Sequence, residues 1–78
     1  MTRIAIVGGA LQGMEAVLLS KAAGYEAVVL DRKEEAPAMS ICDEPVHLDP
    51  TADPKEAERI FEGCAAVIPA CEEMDLLR

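Results

Sequence analysis

Residues 3–31, RIAIVGGALQGMEAVLLSKAAGYEAVVLD, determine the fold that this sequence predicts. A short apolar run, 3–7, ends at two glycines, and a helical pattern follows from Leu11. A second apolar run, 26–30, ends at Asp31. Such a pattern is typical of a buried parallel strand, a glycine turn, a helix and a second buried strand. The helix of such a βαβ unit begins with unpaired backbone amides, which can hold an anion.

The first helix carries an apolar stripe that we interpret as its inner face. Apolar residues recur at the three- and four-residue spacing that places side chains on one side of a helix. The stripe consists of Leu11, Met14, Leu18 and Ala22, with Val17 beside it. Gly24 follows the last of them, where a left-handed residue commonly ends a helix. We therefore expect this stripe to pack against the sheet and to be buried.

The glycine turn partly matches the dinucleotide-binding pattern G-x-G-x-x-G, which is followed by an acid about 20 residues later. Gly8, Gly13 and Asp31 fit this pattern, but Ala10 stands where the second glycine should be. That glycine normally lets a pyrophosphate approach the backbone, and the methyl group of Ala10 obstructs the approach. Two alternatives stay open: a nucleotide-binding turn, or a tight strand-to-helix turn without a ligand.

The rest of the chain continues the alternation of strands and helices. We expect a short helix in 36–42, a third strand at 46–48, a helix from 54 to 62, a fourth strand at 65–68 and a last helical turn in 72–77. Asp53 is placed to cap the helix that follows it, and Ala57, Ile60 and Phe61 form its inner stripe. Right-handed crossovers then give a small Rossmann-like α/β fold, a parallel sheet of order 3-2-1-4 flanked by helices.

The carboxyl ends of the four predicted strands meet at one edge of this sheet. The glycine turn 8–12, Asp31, Asp49 and residues 69–73 all follow a strand directly. Ligands of open α/β sheets bind outside this edge. We therefore expect the binding site, if the chain has one, to lie among these residues.

Charge and composition exclude several classes of protein. The net charge is −8, and residues 31–78 carry the entire acidic excess, so a nucleic-acid partner is not expected. No apolar run approaches the roughly 20 residues of a membrane span, and no signal peptide is evident. These features favour a cytoplasmic protein. The three cysteines (Cys42, Cys64 and Cys71) and the single His47 form neither a zinc motif nor a convincing catalytic pair.

Several segments resemble a known family of enzymes. The string 7–16, VGGALQGMEA, together with 19–24, 29–31 and AVIP at 66–69 followed by Glu72, resembles the N-terminus of PylC-like 3-methylornithine–L-lysine ligases of pyrrolysine biosynthesis. These belong to the ATP-grasp superfamily. The resemblance implies that residues 1–78 are one pre-ATP-grasp domain, the N-terminal part of a longer ligase. ATP and magnesium would then bind mainly outside this chain, which would be inactive alone.

The resemblance also implies roles for individual residues. Leu11 and Gln12 would contact the amino-acid substrate, lysine or 3-methylornithine, and Glu72 would pair with its amino group. A second nucleotide would contact Gly8, Gly9, Ala10, Asp31 and Asp49, with Asp31 accepting hydrogen bonds from ribose hydroxyls. No catalytic or metal-ligating residue is assigned. The partners implied are the amino acid and the remainder of the ligase chain.

Two further possibilities follow from the residues themselves. Asp31 supports a small Rossmann-type nucleotide- or dinucleotide-binding module without ligase chemistry, which is the alternative function. The apolar residues of 74–77 and the open edge of the fourth strand also suggest a chain that associates with itself.

Overall fold

A computed structural model describes residues 2–70 of the chain, in which strands and helices alternate. The predicted helical turn in 72–77 lies outside this range, as do Cys71 and Glu72. Strands β1 to β4, helices α1 and α2 and one short 3-10 helix make up the described fold. Their bounds are β1 Arg3–Val7, α1 Leu11–Ala22, β2 Glu26–Asp31, the 3-10 helix Pro37–Ser40, β3 Glu44–His47, α2 Pro54–Glu62 and β4 Ala66–Pro69.

The four strands form one parallel sheet of order β3-β2-β1-β4, as the sequence predicts. Ile6 of β1 lies opposite Val29 of β2 and Ile68 of β4. The third strand begins two residues earlier than expected and excludes Leu48, and the fourth is shifted by one residue. Strand boundaries depend on which backbone groups pair, and apolar patterning does not specify this closely.

Alternating side chains of the sheet pack against helices on two sides. On one side Ile4, Ile6 and Val29 contact a core that includes Val17 of α1 and Ala38 of the 3-10 helix. On the other side, a second cluster joins the sheet to α2 through its buried Ala57. Its sheet members are Ala5, Val28 and Leu30. Among residues 2–70, none of the helices has the length and the apolar content required to cross a bilayer.

The predicted inner face of α1 is wrong. The buried residues of this helix are Gly13, Val17 and Ser20, whereas Leu11 and Leu18 are 64% and 59% exposed. Of the predicted stripe only Val17 is fully buried and Met14 half-buried. The reason is a close backbone contact: a Cβ atom added to Gly13 would lie 2.1 Å from the carbonyl oxygen of Gly8. The helix therefore turns Gly13, Val17 and Ser20, rather than its leucines, toward the sheet.

Helix α2 follows the sequence prediction. The Asp53 carboxylate accepts a hydrogen bond from the Glu56 amide at 3.3 Å, and Pro54 occupies the first turn. Ala57 is buried, and Ile60 and Phe61 pack against the same cluster. This helix is held by a side-chain cap and an apolar stripe, the two signals that the sequence shows.

Candidate functional site

Three hydrogen bonds fix the glycine turn after β1. The Gly8 amide donates to the carbonyl oxygen of Leu30 at 2.8 Å. The Gly9 amide donates to Oδ2 of Asp31 at 2.6 Å, and the Gly9 carbonyl accepts from the Ala38 amide at 2.8 Å. Gly8 has a φ of 109°, a conformation that glycine adopts without strain. The turn is therefore bound on one side by β2 and on the other by the 3-10 helix.

Asp31 uses both carboxylate oxygens within the protein. Oδ2 accepts from Gly9, and Oδ1 accepts from the Lys33 amide at 2.7 Å. The structure places Asp31 beside the glycine turn, and its contact with a ribose stays a prediction. Its carboxylate accepts from the Gly9 amide of the turn, so an external anion would compete with it for that donor.

The space around the turn is small. A Cβ atom on Gly9 would lie 2.8 Å from the Ala36 Cβ and 3.2 Å from Oδ2 of Asp31, so the chain needs glycine there. Ala10 is exposed and is the N-cap residue of α1, to which it supplies no side-chain hydrogen bond. The start of α1 thus lacks the side-chain cap that α2 has.

Gln12 lies in the first turn of α1, at the end of a groove between this helix and β4. The groove has a volume of about 300 Å³, and Gln12, Pro69 and Ala70 are among its lining residues. The Ala70 amide donates to the Val7 carbonyl at 2.8 Å, which ties the end of β4 to the end of β1. Leu11 is exposed beside Gln12. Glu72, the third expected substrate contact, follows Ala70 by two positions and lies outside the described residues.

Asp49 lies in the loop after β3. The preceding residue, Leu48, donates its amide to the Asp31 carbonyl at 3.0 Å, so both acids belong to the same edge of the sheet. Oδ1 of Asp49 accepts from the Thr51 amide at 2.9 Å and from the Thr51 hydroxyl at 2.6 Å. These bonds from Thr51 hold the pKa of Asp49 below its usual value. Asp49 therefore stabilises the turn that precedes α2 and stays ionised at neutral pH.

His47 and the described cysteines take part in local structure. His47 is the last residue of β3, and its Nε2 lies 2.8 Å from the Arg32 carbonyl oxygen, within hydrogen-bonding distance. Cys42 and Cys64 are free thiols, and burial raises the pKa of each, so both stay protonated at neutral pH. Within residues 2–70, no three side chains of the His, Cys, Asp and Glu types gather where they could hold a metal ion.

A second groove, which sequence reasoning missed, lies between the 3-10 helix and β3. It has a volume of about 410 Å³, and Glu34, Met39, Pro45 and His47 are among its lining residues. The short helix expected in 36–42 is the 3-10 helix Pro37–Ser40, and two of its residues, Met39 and Ser40, line this groove. The spacing of polar residues in 32–45 contains no signal for this groove.

Comparisons with known proteins give a consistent result. The chain is similar to three 3-methyl-D-ornithine–L-lysine ligases. It is 32% identical to that of Methanosarcina acetivorans over 78 residues, 32% to that of Methanosarcina mazei over 74 residues and 35% to that of Methanosarcina barkeri over 74 residues. These matches cover 100%, 95% and 95% of this chain, and 22%, 20% and 20% of the ligases. No protein-family model matches the chain.

A solved structure shows the same fold. The chain superimposes on the crystal structure of N5-carboxyaminoimidazole ribonucleotide synthetase from Thermotoga maritima with a TM-score of 0.82 and 26% identity. The match covers 99% of this chain and 21% of the synthetase. The chain thus spans about a fifth of the proteins it matches. The resemblance to the N-terminal part of PylC-like ligases is confirmed, and the similarities support the ATP-grasp ligase family.

Proposed function

We propose that this chain is the N-terminal, substrate-binding domain of an ATP-dependent carboxylate–amine ligase that joins L-lysine to 3-methyl-D-ornithine. The observation that carries the proposal is the similarity to three 3-methyl-D-ornithine–L-lysine ligases over 95–100% of the chain. In the proposed reaction a carboxylate becomes an acyl phosphate, and an amine displaces the phosphate.

The proposed ATP and magnesium sites belong to other parts of such a ligase. The Gly9 amide of the glycine turn is bound to Asp31, and residues 2–70 offer no cluster of metal ligands. The described residues do not fit these groups, so we assign this domain no step of phosphate transfer. Its proposed task is to bind and orient an amino acid.

The amino acid is proposed to bind at the start of α1. The first amides of a helix have no partner within the helix and attract a carboxylate, and Ala10 supplies no side-chain cap here. Gln12, at the edge of the groove, adds an amide group, and Leu11 adds an apolar contact. Glu72 is proposed to pair with the ammonium group, because an ionised donor and acceptor form a strong hydrogen bond.

Titration of the isotope-labelled chain with L-lysine and D-ornithine tests this site by NMR. We expect the amide signals of Leu11 and Gln12 to shift, and Glu72→Gln to weaken binding by at least roughly tenfold, since it removes one charged partner. Glu73→Gln is the matched control and should bind as the unmodified chain does. Equal losses in both variants would contradict the role of Glu72.

A Rossmann-type nucleotide-binding module is the second candidate, because Asp31 lies directly beside the glycine turn. Its proposed contacts are Gly8, Gly9, Ala10, Asp31 and Asp49. Titration with NADH, followed by fluorescence, separates the two functions. Micromolar binding of NADH without binding of amino acids would favour the module and reject the ligase domain.

Incubation with ATP, lysine and a diamino acid tests where the chemistry lies. The 78-residue chain should form no ADP, because we propose that phosphate transfer takes place in other parts of a ligase. ADP formed by this chain alone, and not by a heat-inactivated control, would refute the assignment of phosphate transfer to other parts of a ligase.

A further inference from the structure

The glycine turn uses its own amides within the chain. A nucleotide phosphate bound after the first strand of such a fold needs free backbone amides at the turn. Here the Gly8 amide donates to the carbonyl oxygen of Leu30 at 2.8 Å, and the Gly9 amide donates to Oδ2 of Asp31 at 2.6 Å. Both glycine amides are therefore engaged before any ligand arrives.

The two acids at this edge of the sheet are engaged as well. Asp31 accepts from the amides of Gly9 and Lys33 at 2.6 and 2.7 Å, and Oδ1 of Asp49 accepts from the amide and the hydroxyl of Thr51. Hydrogen bonds to an ionised acceptor are stronger than those between neutral groups. A ribose hydroxyl that approached Asp31 would therefore compete with two short bonds that hold the chain's own loops.

The turn also lacks the room that a pyrophosphate needs. A Cβ atom on Gly9 would lie 2.8 Å from the Ala36 Cβ, and the Gly9 carbonyl accepts from the Ala38 amide at 2.8 Å. The segment around the 3-10 helix thus covers this glycine. At Ala10 a methyl group stands where dinucleotide-binding turns have the glycine that admits the pyrophosphate. The described turn does not fit a dinucleotide.

Charge acts in the same direction as space. A phosphate monoester carries about two negative charges at neutral pH. It would meet the Asp31 carboxylate, which is bonded to the turn, in a chain whose net charge is −8. Like charges held close together repel each other. An amino acid differs from a phosphate because it carries an ammonium group beside its carboxylate, so an acidic surrounding does not exclude it.

We propose that Asp31 determines the specificity of this edge of the sheet: its carboxylate occupies the glycine turn in place of a nucleotide phosphate, so that the edge rejects nucleotides and admits amino acids. The admission of amino acids rests on the proposed ligase function. The rejection of nucleotides does not, and it opposes the second candidate function.

Titration with ADP, followed by the NMR signals of the Gly9 and Ala10 amides, tests the proposal. The unmodified chain should show no shift of these signals at millimolar ADP. Asp31→Ala frees the Gly9 amide and removes one negative charge, so it should bind ADP at least roughly tenfold more tightly than the unmodified chain does. Glu35→Ala is the matched control: it makes the same change in net charge at an exposed position near the turn and should bind ADP no better than the unmodified chain.

A further variant separates the hydrogen bond from the charge and guards against a loss of fold. Asp31→Asn keeps an acceptor oxygen for the Gly9 amide and removes the charge, so its affinity for ADP should lie between those of the unmodified chain and Asp31→Ala. Thermal unfolding shows which variants are folded, and Asp31→Asn replaces Asp31→Ala in the comparison if the latter is not.

Three outcomes decide the matter. ADP shifts at Gly9 and Ala10 in the unmodified chain would overturn the proposal, and so would equal ADP binding by folded Asp31 variants and Glu35→Ala. L-lysine titrated into the same samples gives the ratio of lysine affinity to ADP affinity, which should fall in Asp31→Ala. An absence of lysine binding, with the ADP results as expected, would reject the amino-acid site and leave Asp31 as the group that excludes nucleotides.

Discussion

Helices α1 and α2 lie on opposite sides of one sheet and are held there by different means. α2 inserts the apolar side chains of Ala57, Ile60 and Phe61 into its core and begins with a side-chain cap from Asp53. α1 turns glycine, valine and serine inward, has no side-chain cap and leaves its leucines in solvent. An amphipathic pattern thus predicts the buried face of α2, where apolar side chains make the contact. It does not predict that of α1, where the backbone at Gly13 approaches the strand.

The contact that decides the position of α1 is between Gly13 and the carbonyl group of Gly8. Because the two backbones approach so closely, the side of α1 that carries Gly13 faces the end of β1, and Val17 on the same side is buried in the core. The third glycine of dinucleotide-binding turns allows the same close packing of helix and strand. α1 is therefore placed by the glycine turn, and the residues proposed to bind the amino acid lie beside this contact.

Gly13→Ala should have the largest effect. Its Cβ atom would lie 2.1 Å from the Gly8 oxygen, so the helix must shift, and we expect a loss of about 3 kcal/mol or more of unfolding free energy. Gly63→Ala is the matched control: its Cβ would meet the Ile60 oxygen at 3.5 Å, and its φ is −85°. Urea unfolding of both variants measures the difference. Similar stabilities would show that α1 is not held through its backbone.

The order of strands and the cap of α2 could be predicted from the sequence because each depends on local signals: apolar runs, glycines, and Asp53 before Pro54. The orientation of α1 could not, since it depends on a contact between Gly13 and Gly8 that hydrophobic patterning does not encode. Asp31 was correctly placed at the glycine turn, but its bonds to the Gly9 and Lys33 amides follow from the shape of the loop. The spacing of residues predicts that Asp31 lies near the glycine turn, but it does not predict which amides its carboxylate binds.

Val17→Ala and Leu18→Ala compare the two faces of α1 directly. Val17 is completely buried, so its truncation should cost about 2 kcal/mol, the sum of lost apolar burial and a small cavity. Leu18 is 59% exposed, and its truncation should change stability by less than about 0.5 kcal/mol. Urea unfolding of both variants measures the difference. A larger loss of unfolding free energy in Leu18→Ala than in Val17→Ala would show that the predicted apolar stripe is the buried face of α1.

Asp53→Ala should remove the cap of α2 and cost about 1 kcal/mol, because the Glu56 amide loses its acceptor. Asp53→Asn keeps an acceptor oxygen and serves as the control, with most of the stability retained. Thermal unfolding compares the two. If both variants lost the same amount, the carboxylate charge rather than the hydrogen bond would hold the start of α2.

Ala10→Ser should make the start of α1 more like that of α2. A serine hydroxyl at this N-cap position can accept from an amide of the first turn, and we expect a gain of about 0.5–1 kcal/mol. The same hydroxyl would occupy a donor that we propose for the substrate carboxylate, so binding of L-lysine should weaken. Tighter lysine binding by the more stable variant would contradict a substrate site at these amides.

Acid should weaken the turn before α2 through Asp49, and this is the smallest effect expected. The Thr51 hydroxyl and amide lower the pKa of Asp49 in the folded chain, so the folded state binds a proton less readily than the unfolded state. The resulting stabilisation is complete above the unfolded pKa, near 3.9, and is lost as the pH falls through the folded value. Asp49→Asn should therefore flatten part of the stability profile below about pH 4 and leave its slope at neutral pH unchanged.

Carboxyl NMR shifts followed through an acid titration report the pKa of Asp49 directly. Thr51→Val, which removes the hydroxyl, should move it back toward the ordinary value, and an unchanged titration in that variant would show that Thr51 is not the cause.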